Sequence, residues 1–332
     1  SGRQSGRVQV VGAGGEVVAV VHEVVGTAPA AVRTTFDAGI QAAAEAALSR
    51  LSRPAALVAI DAPTGQLRAV ASRPPSGFNR ALQGQYPPGS TFKVVTTSAL
   101  LASGVTTATP APCPATTSVE GYRFSNAGGE VLGDIPFATA FSRSCNTAFV
   151  ALAGELDEGA LAAAAEAYGF NRAVDLPVPA EAGRFPEPTG AIDAAAAAIG
   201  QGRVTATPLQ MASVAAAVAS GEWRPPTMVA GGEPPVAADP PADALVATTA
   251  PTLRELMYRV VSEGTATAAR LAGEPVGGKT GTAEFGSATP PRTHAWFIGF
   301  RGDLAVAVVV EDAGFGGSVA APVARTFFAS AG

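Results

Sequence analysis

Short apolar runs bounded by turn residues mark both ends of the chain, and helical spacings of apolar residues fill its middle. Val8–Val11 and Glu16–Val24 read as a hairpin around Gly12–Gly15. Residues 25–35 are small and polar and read as a linker. From Asp37, the spacing of Ile40, Ala44, Ala47 and Leu48 predicts a short helix. Ala55–Asp61 and Gln66–Ser72 flank Ala62-Pro63-Thr64-Gly65, so a hairpin is predicted there. A Pro/Gly-rich loop leads to Ser90, and Thr91–Ser103 predicts a helix stopped by Gly104. Residues 105–135 read as irregular. Phe137–Leu156 reads as helical, in one piece or two, and Glu158–Tyr168 as a second helix ended by Gly169. Thr207-Pro208 is an N-cap and first-turn pair that opens a helix to Gly221. Residues 231–243, with Pro234, Pro235, Pro240 and Pro241, read as loop, and Thr252–Ser262 as helix. Val276–Phe285, His294–Arg301 and Leu304–Asp312 predict three strands, and Ala320–Ala329 a closing helix. Strands early, helices in the middle and strands late argue for an α+β fold, in which an antiparallel sheet joins the chain ends across a helical subdomain.

Composition narrows the function classes. Of 332 residues, 47% are hydrophobic and 15% charged, which suits a large core and excludes a disordered chain. The net charge of −5 argues against nucleic acid as the partner. No apolar run approaches the roughly 18–20 residues that span a bilayer; Leu304–Val310 is strand-sized. The Ser-Gly-Arg start reads as a trimmed or mature fragment, compatible with an anchor in a longer parent. Cys113 and Cys145 are either two buried thiols or one disulfide of an oxidising compartment. With His22 and His294 far apart, they form no metal-ligand spacing, and no metal site is expected. His22 and His294 are expected on the surface or in packing, Trp296 in strand packing, and nothing marks Glu166 as a base.

Lysine usage is the least expected feature. Twenty of the 22 basic residues are Arg, and the two lysines are Lys93 and Lys279. Arg stays charged in a protein, whereas Lys in an apolar or like-charged site can give up its proton. Both lysines stand in short chemical patterns. Ser90-Thr91-Phe92-Lys93 puts a serine at a helix N-terminus with an amine one turn on, which is either a capping serine with a solvated lysine or a nucleophile with its base. Ser144-Cys145-Asn146 offers a proton relay and an amide binder, or a helix-end pair. Lys279-Thr280-Gly281-Thr282 falls on a predicted strand, where Lys and Thr suit a carboxylate and Gly281 suits a ligand backbone lying close.

Together, and in this order, the three patterns resemble the Ser-x-x-Lys, Ser-x-Asn and Lys-Thr-Gly set of the penicillin-binding proteins. The resemblance is to the transpeptidase domain of class B members, over roughly residues 36–330. It extends through Tyr86–Lys93, Ser144–Phe149, Ala198–Gly202, Thr207–Met211 and Gly278–Glu284, and the Arg- and Ala-rich usage suggests an actinobacterial source. Cys145, where class A β-lactamases carry Asp, argues against that class. The resemblance implies a transpeptidase fold for 36–332, with 1–35 the remnant of an N-terminal non-catalytic region. It implies that Ser90 is acylated, Lys93 is the base, and Ser144 passes the proton to the leaving group. Asn146 would bind the substrate amide, and Lys279, Thr280 and Thr282 the terminal carboxylate. The N–H groups of Ser90 and Thr282 would form the oxyanion hole. The implied activity is serine D,D-transpeptidation of peptidoglycan stem peptides, blocked covalently by β-lactams and needing no metal or organic cofactor. The alternatives are a serine β-lactamase or D,D-carboxypeptidase, or a silent β-lactam sensor or scaffold. The family also implies an extracytoplasmic, membrane-anchored parent working with a lipid-II polymerase and divisome or elongasome proteins. In that setting Cys113 and Cys145 could pair and tie the Ala111–Pro114 loop beside the site.

Overall fold

The computed structural model describes residues 5–26, 31–231, 240–288 and 291–331. The chain forms two compact units, Ser1–Thr34 with Val229–Gly232, and Thr35–Met228 with Glu233–Gly332. In the small unit, β1 (Gly6–Val11) and β2 (Val17–Val24) pair antiparallel, as their Val-rich runs around the glycine turn predict. Every residue of both strands is exposed.

The large unit opens with α1 (Ala38–Ser49), whose N-cap Asp37 accepts from the N–H groups of Gly39 and Ile40. Then come β3 (Ala55–Asp61), β4 (Gln66–Arg73), the short α2 (Arg80–Gln83) and a 3₁₀ turn over Gly89–Phe92 that runs straight into α3 (Lys93–Ala102). A small hairpin, β5 (Thr116–Val119) and β6 (Tyr122–Ser125), precedes the helices α4 (Phe137–Arg143), α5 (Asn146–Ala153), α6 (Ala160–Ala167), α7 (Ala191–Ala198), α8 (Pro208–Ser220) and α9 (Pro240–Ser262). The chain closes with β7 (Gly277–Phe285), β8 (Arg292–Arg301), β9 (Leu304–Val310) and α10 (Ala320–Ser330).

Five strands form one antiparallel sheet in the order β4-β3-β9-β8-β7. Its middle strands are continuous apolar runs because both faces are covered. Leu57, Val58, Phe297, Ile298, Val306 and Val308 are fully buried. Helices α1 and α10 pack together on the sheet, and α8 lies on β3, β8 and β9 with α9 beside it. Helix α8 is apolar on almost all sides, as a buried core helix must be. Its Thr207 hydroxyl caps the Gln210 N–H at 3.0 Å, and Gly221 ends it in the left-handed region. No described helix is long and apolar enough to cross a membrane.

Three expectations need correction. Residues 105–135 are not irregular throughout. Glu120 and Gly121 both take positive φ, which is the two-residue turn that twists a hairpin correctly, and β5 and β6 pair across it. Residues 240–243 are not loop but the start of α9, where the first turn tolerates Pro240 and Pro241 because its N–H groups lack helical partners anyway. The remainder of the proline-rich segment, 232–239, lies outside the described residues. The helix also does not begin at Thr252; it runs through Pro251. Of the two readings left open for the cysteines, the structure takes the disulfide: Cys113 and Cys145 are bonded with their Cα atoms 6.1 Å apart.

Candidate active site

Ser90 sits where two glycines let backbones touch. Gly89 takes φ +52, and a Cβ there would come within 3.1 Å of Thr282 O and of Ala283 on β7. Its N–H donates to Gly200 O at 2.8 Å, and a side chain on Gly200 would overlap Gly89 O. The preceding segment is pinned as well. The Trp296 indole donates to Pro87 O at 3.1 Å, and the Tyr86 hydroxyl donates to Glu311 at 2.7 Å. Tyr86 therefore loses its proton only far above its usual range, since burial and the Glu311 carboxylate both oppose the anion. Trp296 and His294 are packing residues, as expected; His294 stacks on Phe285 at 3.9 Å and meets Tyr86 edge-on.

Lys93 follows Ser90 by three residues, one 3₁₀ turn, and its side chain is fully buried. The amine donates to Ser144 O and to Asn146 Oδ1, each at 2.7 Å, with Ser144 Oγ at 3.4 Å and the Phe149 ring centroid at 5.0 Å. Among the described residues its hydrogen bonds go to Ser144 and Asn146, and none goes to Ser90. Lys279 is equally buried and donates to Ser144 Oγ at 2.8 Å and to its neighbour's carbonyl, Thr280 O, at 3.2 Å. Burial first, and Lys279 second, hold the Lys93 amine well below the usual lysine range. Burial brings Lys279 down to about 7. Every ion pair among the described residues is made by Arg, so neither lysine has a carboxylate to hold its charge.

The Ser144 hydroxyl lies between the two amines because its backbone is left-handed, at φ 63 and ψ 36. That turn ends α4, and Cys145 in extended conformation starts α5, so the apolar region is two helices broken at the motif. A non-glycine residue pays for this geometry with roughly 1–2 kcal/mol, which the surrounding contacts must offset. They are supplied by the segment before α4. The disulfide holds Cys145, Asn146 Nδ2 donates to Ser125 O at 2.9 Å, and Asn126 Oδ1 accepts the Thr147 N–H at 3.1 Å. Asn126 Nδ2 in turn binds Pro114 O and Glu130 O, each at 2.8 Å.

Lys279, Thr280, Gly281 and Thr282 lie on β7, the sheet edge, where one row of backbone groups has no strand partner. Gly281 also serves the packing of the chain on itself. A Cβ there would meet Pro88 O at 2.9 Å and Thr91 Cγ2 at 3.0 Å, so this glycine lets the Ser90 turn dock on the strand. Thr280 is buried and shares a hydrogen bond with Thr265, and the Thr282 hydroxyl accepts from Gly316 N–H at 3.3 Å. The structure thus gathers Ser90, Lys93, Ser144, Asn146 and Lys279–Thr282 around one edge of the sheet. It adds residues that sequence reasoning missed: Asn126, Thr265 and Gly316. Only the Thr-Thr-Ser-Val and Tyr-Arg-Phe-Ser strands around Glu120-Gly121 carried a local signal, since the rest act across long stretches of chain.

The sequence profile of the penicillin binding protein transpeptidase domain matches residues 55–329, and the chain belongs to that family. Its relatives narrow the likeness further. The chain is 38% identical over 288 residues to the peptidoglycan D,D-transpeptidase PbpA of Mycolicibacterium smegmatis, covering 76% of this chain and 56% of that protein. PbpA of Mycobacterium tuberculosis is 37% identical over 285 residues, with the same coverage. The penicillin G acyl-enzyme structure of M. tuberculosis penicillin-binding protein A superposes with TM-score 0.80 at 30% identity, over 90% of this chain and 80% of that one. These relatives bear out the resemblance to actinobacterial class B members. The chain spans about half the length of the curated relatives it matches.

Proposed function

We propose that this chain is the transpeptidase part of a peptidoglycan D,D-transpeptidase that forms an acyl-enzyme at Ser90. The observation that carries the reading is the pair of buried lysines meeting at one serine hydroxyl. A neutral amine has two N–H groups and one lone pair. On Lys93 the two N–H groups match the two carbonyl oxygens at 2.7 Å, and the lone pair remains for the Ser90 proton. The contact to Ser90 tightens when substrate fills the site. Ser90 Oγ attacks the carbonyl carbon of the penultimate D-Ala, and its proton passes to Lys93. The N–H groups of Ser90 and Thr282 hold the oxyanion, where one donor is typically worth about 10²–10³ in rate. As the C–N bond breaks, Ser144 delivers a proton to the departing D-Ala amine and regains one from Lys93. An amine of a neighbouring stem peptide then attacks the ester by the reverse sequence, which restores the Ser90 hydroxyl. Asn146 holds the substrate amide, and Lys279, Thr280 and Thr282 hold its terminal carboxylate.

A β-lactam enters the same sequence, opens its ring and stays on Ser90. M. tuberculosis penicillin-binding protein A forms such acyl-enzymes with penicillin G and imipenem. The disulfide supports an extracytoplasmic site of action, and family likeness supports a membrane-anchored parent working beside a lipid-II polymerase and other wall-assembly proteins. Likewise we assign residues 36–332 to the transpeptidase domain and 1–35 to the end of a non-catalytic region. Intact-mass spectrometry with penicillin G tests the reading. One lasting adduct, mapped to Ser90 and lost in Ser90→Ala, is expected. Rapid turnover of the adduct would instead indicate a β-lactamase. An adduct on another residue would refute the assignment of Ser90.

A further inference from the structure

We infer that Thr265 is a positioning residue that directs the Thr280 hydroxyl toward the substrate carboxylate, an inference that rests on the function proposed above. The two hydroxyl oxygens are 2.5 Å apart, a short O–H···O bond in which one oxygen donates and the other accepts. Thr280 is buried, and Thr265 is its sole side-chain partner among the described residues. If Thr280 spends its proton on Thr265, it faces a carboxylate with lone pairs alone. If Thr265 is the donor, the Thr280 proton is free for the carboxylate, and the two bonds in series strengthen each other. An incoming anion selects the second arrangement.

Thr265 is held in place by three parts of the site. Its N–H donates to Ser142 O at 3.1 Å, two residues before Ser144. A side chain on the preceding Gly264 would overlap Ser142 O, so the loop after α9 lies hard against the end of α4. On its other side, a side chain on Gly317 would overlap Thr265 O. Gly316, next along, donates to the Thr282 hydroxyl and has the carbonyls of Gly281 and Trp296 where a side chain would stand. The loop after α9 and the loop after β9 therefore clasp the outer side of Lys279–Thr282, and Thr265 is the hydroxyl placed at their meeting point.

The test compares acylation by penicillin G with acylation by its methyl ester, which lacks the carboxylate charge. Thr265→Val keeps the shape and removes the hydroxyl. Acylation by penicillin G should slow about tenfold, the scale of one hydrogen bond to a charged group, while the ester rate stays at the wild-type value. Thr265→Ser should restore the penicillin G rate. In a Thr280→Val background, Thr265→Val should cost nothing further. Equal slowing with both ligands, or a loss that persists in Thr280→Val, would overturn the inference in favour of a packing role. Thr265→Ala carries the same comparison if Thr265→Val does not fold. A wild-type chain acylated by neither ligand would overturn the proposed function itself, and this inference with it.

Discussion

Replacing Lys279 by Met should abolish acylation and at the same time stabilise the fold at neutral pH. In the native state this amine titrates at about 7 instead of 10.5, because it is fully buried with no carboxylate partner. Between those two values the unfolded chain binds a proton that the native chain does not, so native stability rises with pH through this window. At pH 7 the shift costs the native state about 4 kcal/mol, and at pH 9.5 about 1 kcal/mol. Methionine removes the cost but also the bonds to Ser144 Oγ and Thr280 O, together worth about 2–3 kcal/mol. The variant should therefore be about 1–2 kcal/mol more stable than wild type at pH 7 and less stable by a similar amount at pH 9.5, so that the two curves cross between. Lys93 moves the comparison the same way, because methionine removes the Lys279 charge that helps burial to hold the Lys93 amine down. Urea denaturation followed by circular dichroism at several pH values reads the difference directly. A variant less stable than wild type at pH 7, or a difference that does not change with pH, would show that Lys279 is not held at a lowered pKa.

Three further outcomes follow from the same geometry. Lys93→Arg keeps a positive charge but offers no lone pair, so a folded variant should lose at least about 10²-fold in acylation rate, read by penicillin labelling. If the charged form of Lys279 holds the carboxylate, penicillin G acylation should fall as pH rises through about 7, and Lys279→Arg should remove that alkaline limb. The disulfide closes a loop of 32 sequence steps, so Cys113→Ser with Cys145→Ser should cost roughly 3–4 kcal/mol in urea and slow acylation by loosening Asn146. Two free thiols in non-reduced, denatured protein would contradict the pairing.

Local signals announced much of this fold. Thr207-Pro208 and Gly221 bracketed α8, and the runs at 55–61, 66–72, 276–285, 294–301 and 304–312 gave the five strands of the main sheet. What escaped had weak local chemistry. Helix α7 follows Gly190, an N-cap with no side chain to bond the first turn, and its run of alanines carries no apolar periodicity. Helix α9 has prolines in its first turn and another at Pro251, each of which reads as a break when the tertiary contacts are unknown. At the site, the three motifs and the two lysines were visible because each pairs chemically distinctive residues within a few positions. Their second ring was not. Asn126 reaches Thr147 across 21 residues and Thr265 reaches Thr280 across 15, and a Thr or Asn so placed looks like any other polar residue. The left-handed backbone at Ser144 also had no sequence cue, since neither Asn nor Gly occupies that position.

The division of cations, guanidinium outside and amine inside, gives the folded chain an unusual chemical silence. Amine-directed reagents meet no lysine on its surface, because both lie at zero exposure in the heart of the site. Acylation or methylation of either side chain requires the structure around Ser144 to open, and its rate reports how often that happens. The chain thus carries its own opening probe at the place where its chemistry is done. A tryptic map of lysine modification would separate breathing of the α3–α5 region, seen at Lys93, from breathing of the sheet edge, seen at Lys279.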